Sequence, residues 1–129
     1  MTYMGKPYYP SWLDRLADDA TLEGAAMNGT SQGADAVRSI VVTARELYED
    51  QEFSFAGDYG ENGFLEDYIT QVHGHPTGVV VTVTRNAAGN AQHIVVNHRP
   101  RSSMLVFSRL MGEKFAATPI ARYFLASES

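Results

Sequence analysis

The sequence predicts an α+β domain in which an antiparallel meander follows helices and packs them on one face of a curved sheet. Three observations carry this. Val37, Ile40, Val41, Ala44, Leu47 and Tyr48 recur at three- and four-residue spacing, the apolar face of a helix over residues 34–50. From Phe53 to Arg99 the period becomes extended and is cut by three turn signals: Gly60-Glu61-Asn62-Gly63, Gly74-His75-Pro76-Thr77-Gly78 and Asn86-Ala87-Ala88-Gly89-Asn90. Met104, Phe107, Met111 and Phe115 then return to helical spacing, with Leu110 beside them.

Taken in order, residues 1–10 are aromatic and proline-punctuated (Tyr3, Pro7, Tyr8, Tyr9, Pro10) and read as an arm lying over the body. Ser11 is placed to cap a short helix over residues 12–17, with Trp12, Leu13 and Leu16 inward. Residues 20–23 suit a strand. Asn28-Gly29-Thr30-Ser31-Gln32-Gly33 is turn chemistry, and Asp35 suits the first turn of the long helix, where a negative charge meets the positive end of the dipole. Residues 53–59 form the next strand, with Phe53 and Phe55 expected on one face. Strands over 64–73, 79–85 and 92–99 follow, the last stopped by Pro100. Ser102 or Ser103 caps the final helix, Thr118-Pro119 breaks it, and residues 120–125 add a last turn. The run Val79 to Val83 is apolar on both faces. With helices on one side of the sheet, valines on the other ask for a partner sheet, so a homodimer is expected.

Composition narrows the function classes. The 129 residues fit one domain, expected to span 1–129, and 44% hydrophobic with 19% charged residues is an ordinary globular balance. A net charge of −5 without a basic cluster argues against nucleic acid as the partner. The absence of cysteine excludes disulfides and thiolate catalysis. No stretch is long and apolar enough to span a membrane and none has the form of a signal peptide, so no membrane partner and a cytoplasmic location are expected.

Leu16-Ala17-Asp18-Asp19-Ala20-Thr21-Leu22-Glu23 resembles the strand entry of the nuclear transport factor 2-like superfamily, which includes SnoaL-like polyketide cyclases and ketosteroid isomerases. Gly33-Ala34-Asp35-Ala36-Val37 resembles the glycine and helix start that follow, and Ile94-Val95-Val96-Asn97-His98-Arg99-Pro100 the final strand. The Arg99-Pro100 pair with a helix after it is similar to actinobacterial members. The resemblance covers residues 12–115. It implies a cone-shaped curved antiparallel sheet wrapped around helices (the cystatin-like fold), with an extra C-terminal helix, an interior apolar pocket and a dimer through the opposite sheet face.

The family's catalytic groups are not at their expected positions. The isomerase base falls at Gly24, the protonated acid near Val81, and the tyrosine on a first helix that is largely shortened here. The carboxylate that SnoaL-like cyclases carry on their last strands is replaced by Asn97, His98 and Arg99.

Strand alternation suggests another set. The resemblance turns Ile94, Val96 and His98 inward, and Glu66, Tyr68, Thr70 and Val72 share that face. Glu66 and His98 form a titratable pair for acid/base work, and Tyr68 is placed to donate to an oxyanion or hydroxyl. Trp12, Tyr48, Val81, Val83, Ile94 and Val96 are the expected pocket lining. His73 and His75, with His93 as a third group, have ligand-like spacing, but Gly74 and Pro76 place them at a hairpin tip, so no metal is expected. Arg99 and Arg101 read as partners of surface carboxylates.

Two functions stay open. One is a cofactor-free isomerase, cyclase, hydratase or hydrolase that moves a proton with His98 and Glu66 on a small apolar or weakly polar molecule. The other is a non-catalytic ligand-binding or dimeric interaction module, including the case in which residues 1–10 or the C-terminal helix fill the pocket. His98 as a satisfied core histidine, with Glu66 as its salt partner at a rim, is the structural alternative for the pair.

Overall fold

The computed structural model describes residues 1–126, so the last three residues of the expected 1–129 domain lie outside the described residues. A short N-terminal hairpin, β1 (Thr2–Tyr3) and β2 (Lys6–Pro7), turns at Met4 and Gly5, whose φ values of 53° and 76° suit a two-residue hairpin turn. A 3-10 turn, Ser11–Arg15, leads into β3 (Leu16–Gly24). The short β4 (Ser31–Gln32) precedes α1 (Ala34–Leu47). The meander follows: β5 (Glu49–Tyr59), β6 (Gly63–Val72), β7 (His75–Arg85) and β8 (Ala91–Arg99). The helix α2 (Arg101–Lys114) and a 3-10 turn (Pro119–Tyr123) close the described chain.

These strands make one eight-stranded sheet in the order β2-β1-β5-β6-β7-β8-β3-β4. The meander is antiparallel, but β1 runs parallel to β5 and β3 parallel to β8. The expected cone-shaped curved antiparallel sheet is therefore not the one that forms: the sheet is mixed and open, without strong curl or closure. Its edges explain why. Both edge strands, β2 and β4, have two residues, Pro7 of β2 has no N–H to donate, and Gly33 turns the chain from β4 into the helix. Helices covering one face supply the enclosure that sheet closure does not.

The helix α1 packs on β3, and α2 packs on β6, β7 and β8 and touches α1. Val37, Ile40 and Ala44 bury the α1 stripe, and Phe107, Met111 and Phe115 the corresponding stripe of the C-terminal segment, as their spacing predicts. Burial of a side chain the size of Ile40 or Met111 is worth about 1.5–3 kcal/mol. The opposing strand face supplies three rows in register: Leu22, Ile94, Val83 and Phe64; then Gly24, Val96, Val81 and Glu66; then His98, Val79, Tyr68 and Phe53. The functional candidates belong to the second and third rows.

Several local expectations change. The helix expected over residues 12–17 is only the 3-10 turn, because the chain is already extended at Leu16. Pro10 occupies its N-cap position and Ser11 makes no capping bond. The long helix ends at Leu47 rather than Asp50, and Asp50 has φ 53° inside the next strand. Phe53 and Phe55 lie on opposite faces. A register shift pairs Phe53 with Tyr68 but Phe55 with Asp67, so Ser54 is an extra residue that reverses the alternation. Ser103 does not cap α2 but donates to the Pro76 carbonyl at 2.8 Å. No helix among the described residues is long and apolar enough to cross a membrane.

Candidate functional site

Between the inner sheet face, α1 and α2 lies a cavity of about 50 Å³. Its wall includes Trp12, Tyr48, Glu66, Tyr68, Val81, Val96 and His98, all named by the sequence. Ile94 and Val83 share the inward alternation but sit one row deeper, fully buried in the core and not in the cavity wall. Phe53 and Phe107 add aromatic surface.

Glu66 is the main polar feature. Its residue is 2% exposed. Tyr8 from the N-terminal arm donates its hydroxyl to Oε2 at 2.6 Å, and the Trp12 indole N–H donates to the same oxygen at 3.2 Å. Burial raises the Glu66 pKa, while the bonds from Tyr8 and Trp12 and the charge of Arg45 pull it down. Burial predominates, and the carboxyl keeps its proton to a higher pH than an ordinary glutamate.

His98 lies on β8, across β7 from Glu66. Its Nε2 is 2.7 Å from the Tyr48 hydroxyl, and its ring stacks on Phe107 with centroids 4.1 Å apart. Burial lowers its pKa to about 4, so the imidazole is neutral at neutral pH. Among the described residues its Nδ1 is buried without a partner. The Tyr48 hydroxyl is then the proton donor when Nε2 is the unprotonated nitrogen. Tyr48 and Tyr68 meet edge-on at 5.6 Å, and Tyr68 lies against Gln51; burial is the main reason both phenols are raised above their ordinary value.

Thus Glu66 and His98 are both buried in one cavity wall, consistent with an acid/base role, but they are not each other's partner. Each is held by separate aromatic groups, Glu66 by Tyr8 and Trp12, His98 by Tyr48. Sequence reasoning missed Tyr8, Arg45 and Phe107. The tyrosines of the arm were visible, but nothing in their spacing shows a hydroxyl reaching residue 66. Arg45 was legible only as a polar position beside the Ala44 stripe.

Gly24 sits where the resemblance puts the isomerase base. A Cβ there would lie 1.8 Å from the Val96 carbonyl oxygen, so the close approach of β3 and β8 excludes any side chain. His73 and His75 lie at the β6–β7 turn, and among the described residues no group of three His, Asp or Glu could hold a metal. Arg99 pairs with Asp67 at 3.3 Å, as its surface reading implies.

No family model and no curated protein matches the sequence. Solved structures do. A cystatin-like-fold protein from Silicibacter pomeroyi superposes with a TM-score of 0.76 at 17% identity, covering 81% of this chain and 74% of the other. A steroid delta-isomerase from Pseudomonas aeruginosa gives 0.76 at 17% identity, over 84% and 80%. An NTF2-like protein of unknown function from Burkholderia xenovorans gives 0.55 at 17% identity, over 65% and 64%. The fold is similar to that of these cystatin-like and NTF2-like proteins. At these identities the likeness stands at the level of the fold and does not single out an actinobacterial relative.

Proposed function

We propose that this cavity receives a small apolar or weakly polar molecule and that Glu66 and His98 support proton transfer on it, in a cofactor-free isomerase, cyclase or hydrolase. The observation that carries the reading is the Glu66 carboxyl, nearly inaccessible among aromatic side chains yet held by two donors on one oxygen. Glu66 takes or returns the proton. The Tyr48 hydroxyl suits an oxygen that gains charge when the neutral His98 ring carries its proton on Nε2 and donates to the Tyr48 oxygen, with the Tyr68 hydroxyl bonded beside it. The likeness to a steroid delta-isomerase supports proton transfer as the class of chemistry, although this chain reaches it with different residues.

The test is wash-out of α-protons from cyclohexanone in D₂O, followed by proton NMR. The reading expects exchange above the buffer rate, lost in Glu66→Gln and reduced in His98→Phe. Exchange equal in all three proteins counts against it.

A second reading, a non-catalytic dimeric interaction module whose pocket is closed by aromatic side chains, draws on the size of the cavity. About 50 Å³ holds a few waters, well below the roughly 300–1,000 Å³ of pockets for larger ligands.

The homodimer also belongs to this reading. The outer sheet face carries Phe55, Tyr59 and Ile69, exposed by 44%, 45% and 52%, beside half-buried Leu65, Val80 and Val95. A second copy covering this face accounts for the apolar outer positions of the meander.

A further inference from the structure

The N-terminal arm contributes a group to the site that the proposed chemistry has not used. Tyr8 is anchored locally: its N–H donates to the Met1 carbonyl at 3.0 Å, its ring lies 4.4 Å from that of Phe53, and Tyr3 packs edge-on against it at 6.1 Å. The arm itself joins the sheet through Thr2 and Tyr3, paired with Glu52 and Phe53 of β5. Its hydroxyl spans 58 residues of sequence to reach Glu66 Oε2 at 2.6 Å. That distance is typical of a hydroxyl donating to an ionised carboxylate.

Few groups around Glu66 can offset the cost of burying its charge, and the Tyr8 bond is the foremost of them. On neighbouring strands it faces Ala56 and Val81, which offer nothing to a carboxylate. The polar groups that meet it are Tyr8 from the arm, Trp12 from the 3-10 turn, the Arg45 guanidinium from α1 and Tyr68 from its own strand. His98 shares the cavity from across β7. Of the two hydrogen-bond donors on Oε2, the Tyr8 bond is shorter by 0.6 Å. Neither bond uses Oε1.

We propose that Tyr8 is a positioning residue for Glu66: docking of the N-terminal arm places a phenol on Oε2, holds the side chain, and favours the carboxylate form of Glu66. With the arm docked, Glu66 is the proton acceptor. Without the phenol the carboxyl loses the shorter of its two hydrogen bonds and holds its proton to a higher pH. This role rests on the site assigned under the proposed function.

The protein supplies its own reporter. Trp12 is the only tryptophan and shares Oε2 with Tyr8, so its fluorescence follows the charge on Glu66. The experiment is a pH titration of Trp12 emission in the full-length chain and in Tyr8→Phe, Tyr8→Ala and Glu66→Gln. The expected result is a transition in the parent that disappears in Glu66→Gln. In Tyr8→Phe, which keeps the ring and removes the hydroxyl, the midpoint moves up by about one pH unit, a tenfold gain in proton affinity. In Tyr8→Ala, added 4-methylphenol moves the midpoint back toward the parent and toluene does not.

An unchanged midpoint in Tyr8→Phe overturns the proposal. So does a transition that survives in Glu66→Gln, or equal action by 4-methylphenol and toluene. Because the titration needs no turnover, its failure is separate from a failure of the ketone-exchange assay.

Discussion

Removing the imidazole of His98 should flatten the acid side of the stability profile. The folded protein holds His98 neutral down to about pH 4, whereas an unfolded histidine protonates near 6.5. The contribution of the neutral ring is therefore complete above pH 6.5 and is lost as pH falls through about 4. At 1.36 kcal/mol per pH unit the full difference is about 3 kcal/mol, of which about 2 kcal/mol is already gone at pH 5. His98→Phe keeps an aromatic ring against Phe107 and loses the bond to Tyr48. That loss is a constant offset, since burial pushes the Tyr48 phenol above its usual range, far from the titration window. Urea unfolding followed by far-UV circular dichroism between pH 7.5 and 4.5 measures both proteins. Glu66 is present in each, so its own pH dependence cancels in the difference. The parent should lose about 2.5 kcal/mol relative to His98→Phe between the two ends of that range. Parallel profiles would refute the claim that the fold keeps this histidine neutral.

Other expectations follow from the same geometry. Glu66 has the opposite sign: burial raises its pKa, so its stabilising share is complete at acid pH and is lost as pH rises through the folded value. Glu66→Gln should therefore gain on the parent as pH increases, which the same unfolding series reads directly. Gly24→Ala drives a Cβ into the Val96 carbonyl and should cost about 3 kcal/mol or more in melting experiments. Ile69→Lys together with Phe55→Lys should leave the melting temperature nearly unchanged while shifting the mass in light scattering from dimer to monomer; a parent that is already monomeric removes the second-copy reading of the outer face.

The inward row of Glu66, Tyr68, Thr70 and Val72 followed from alternation alone, because β6 pairs with β7 without a register shift and the period of two is kept. Phe55 was misplaced because one extra residue at Ser54 reverses the period, and nothing in a run of Phe, Ser and Phe signals a bulge. The helical stripes of α1 and α2 were legible because both bury apolar faces at helical spacing. The openness of the sheet was not, since closure depends on what the short edge strands can pair with. At the site, the sequence brought Glu66 and His98 to one cavity but joined them as partners. Their separate partners come from the arm, the 3-10 turn and the end of α1, contacts across 58, 54 and 50 residues that no local pattern encodes.

The most direct test of the account is a carbon-13 NMR titration of the Glu66 side-chain carboxyl, assigned by the resonance lost in Glu66→Gln. The account predicts that this carboxyl titrates above the ordinary glutamate value of 4.5, as a buried group poised to exchange a proton. Titration at or below 4.5 would show a solvated or fully compensated carboxylate and would contradict the role given to Glu66.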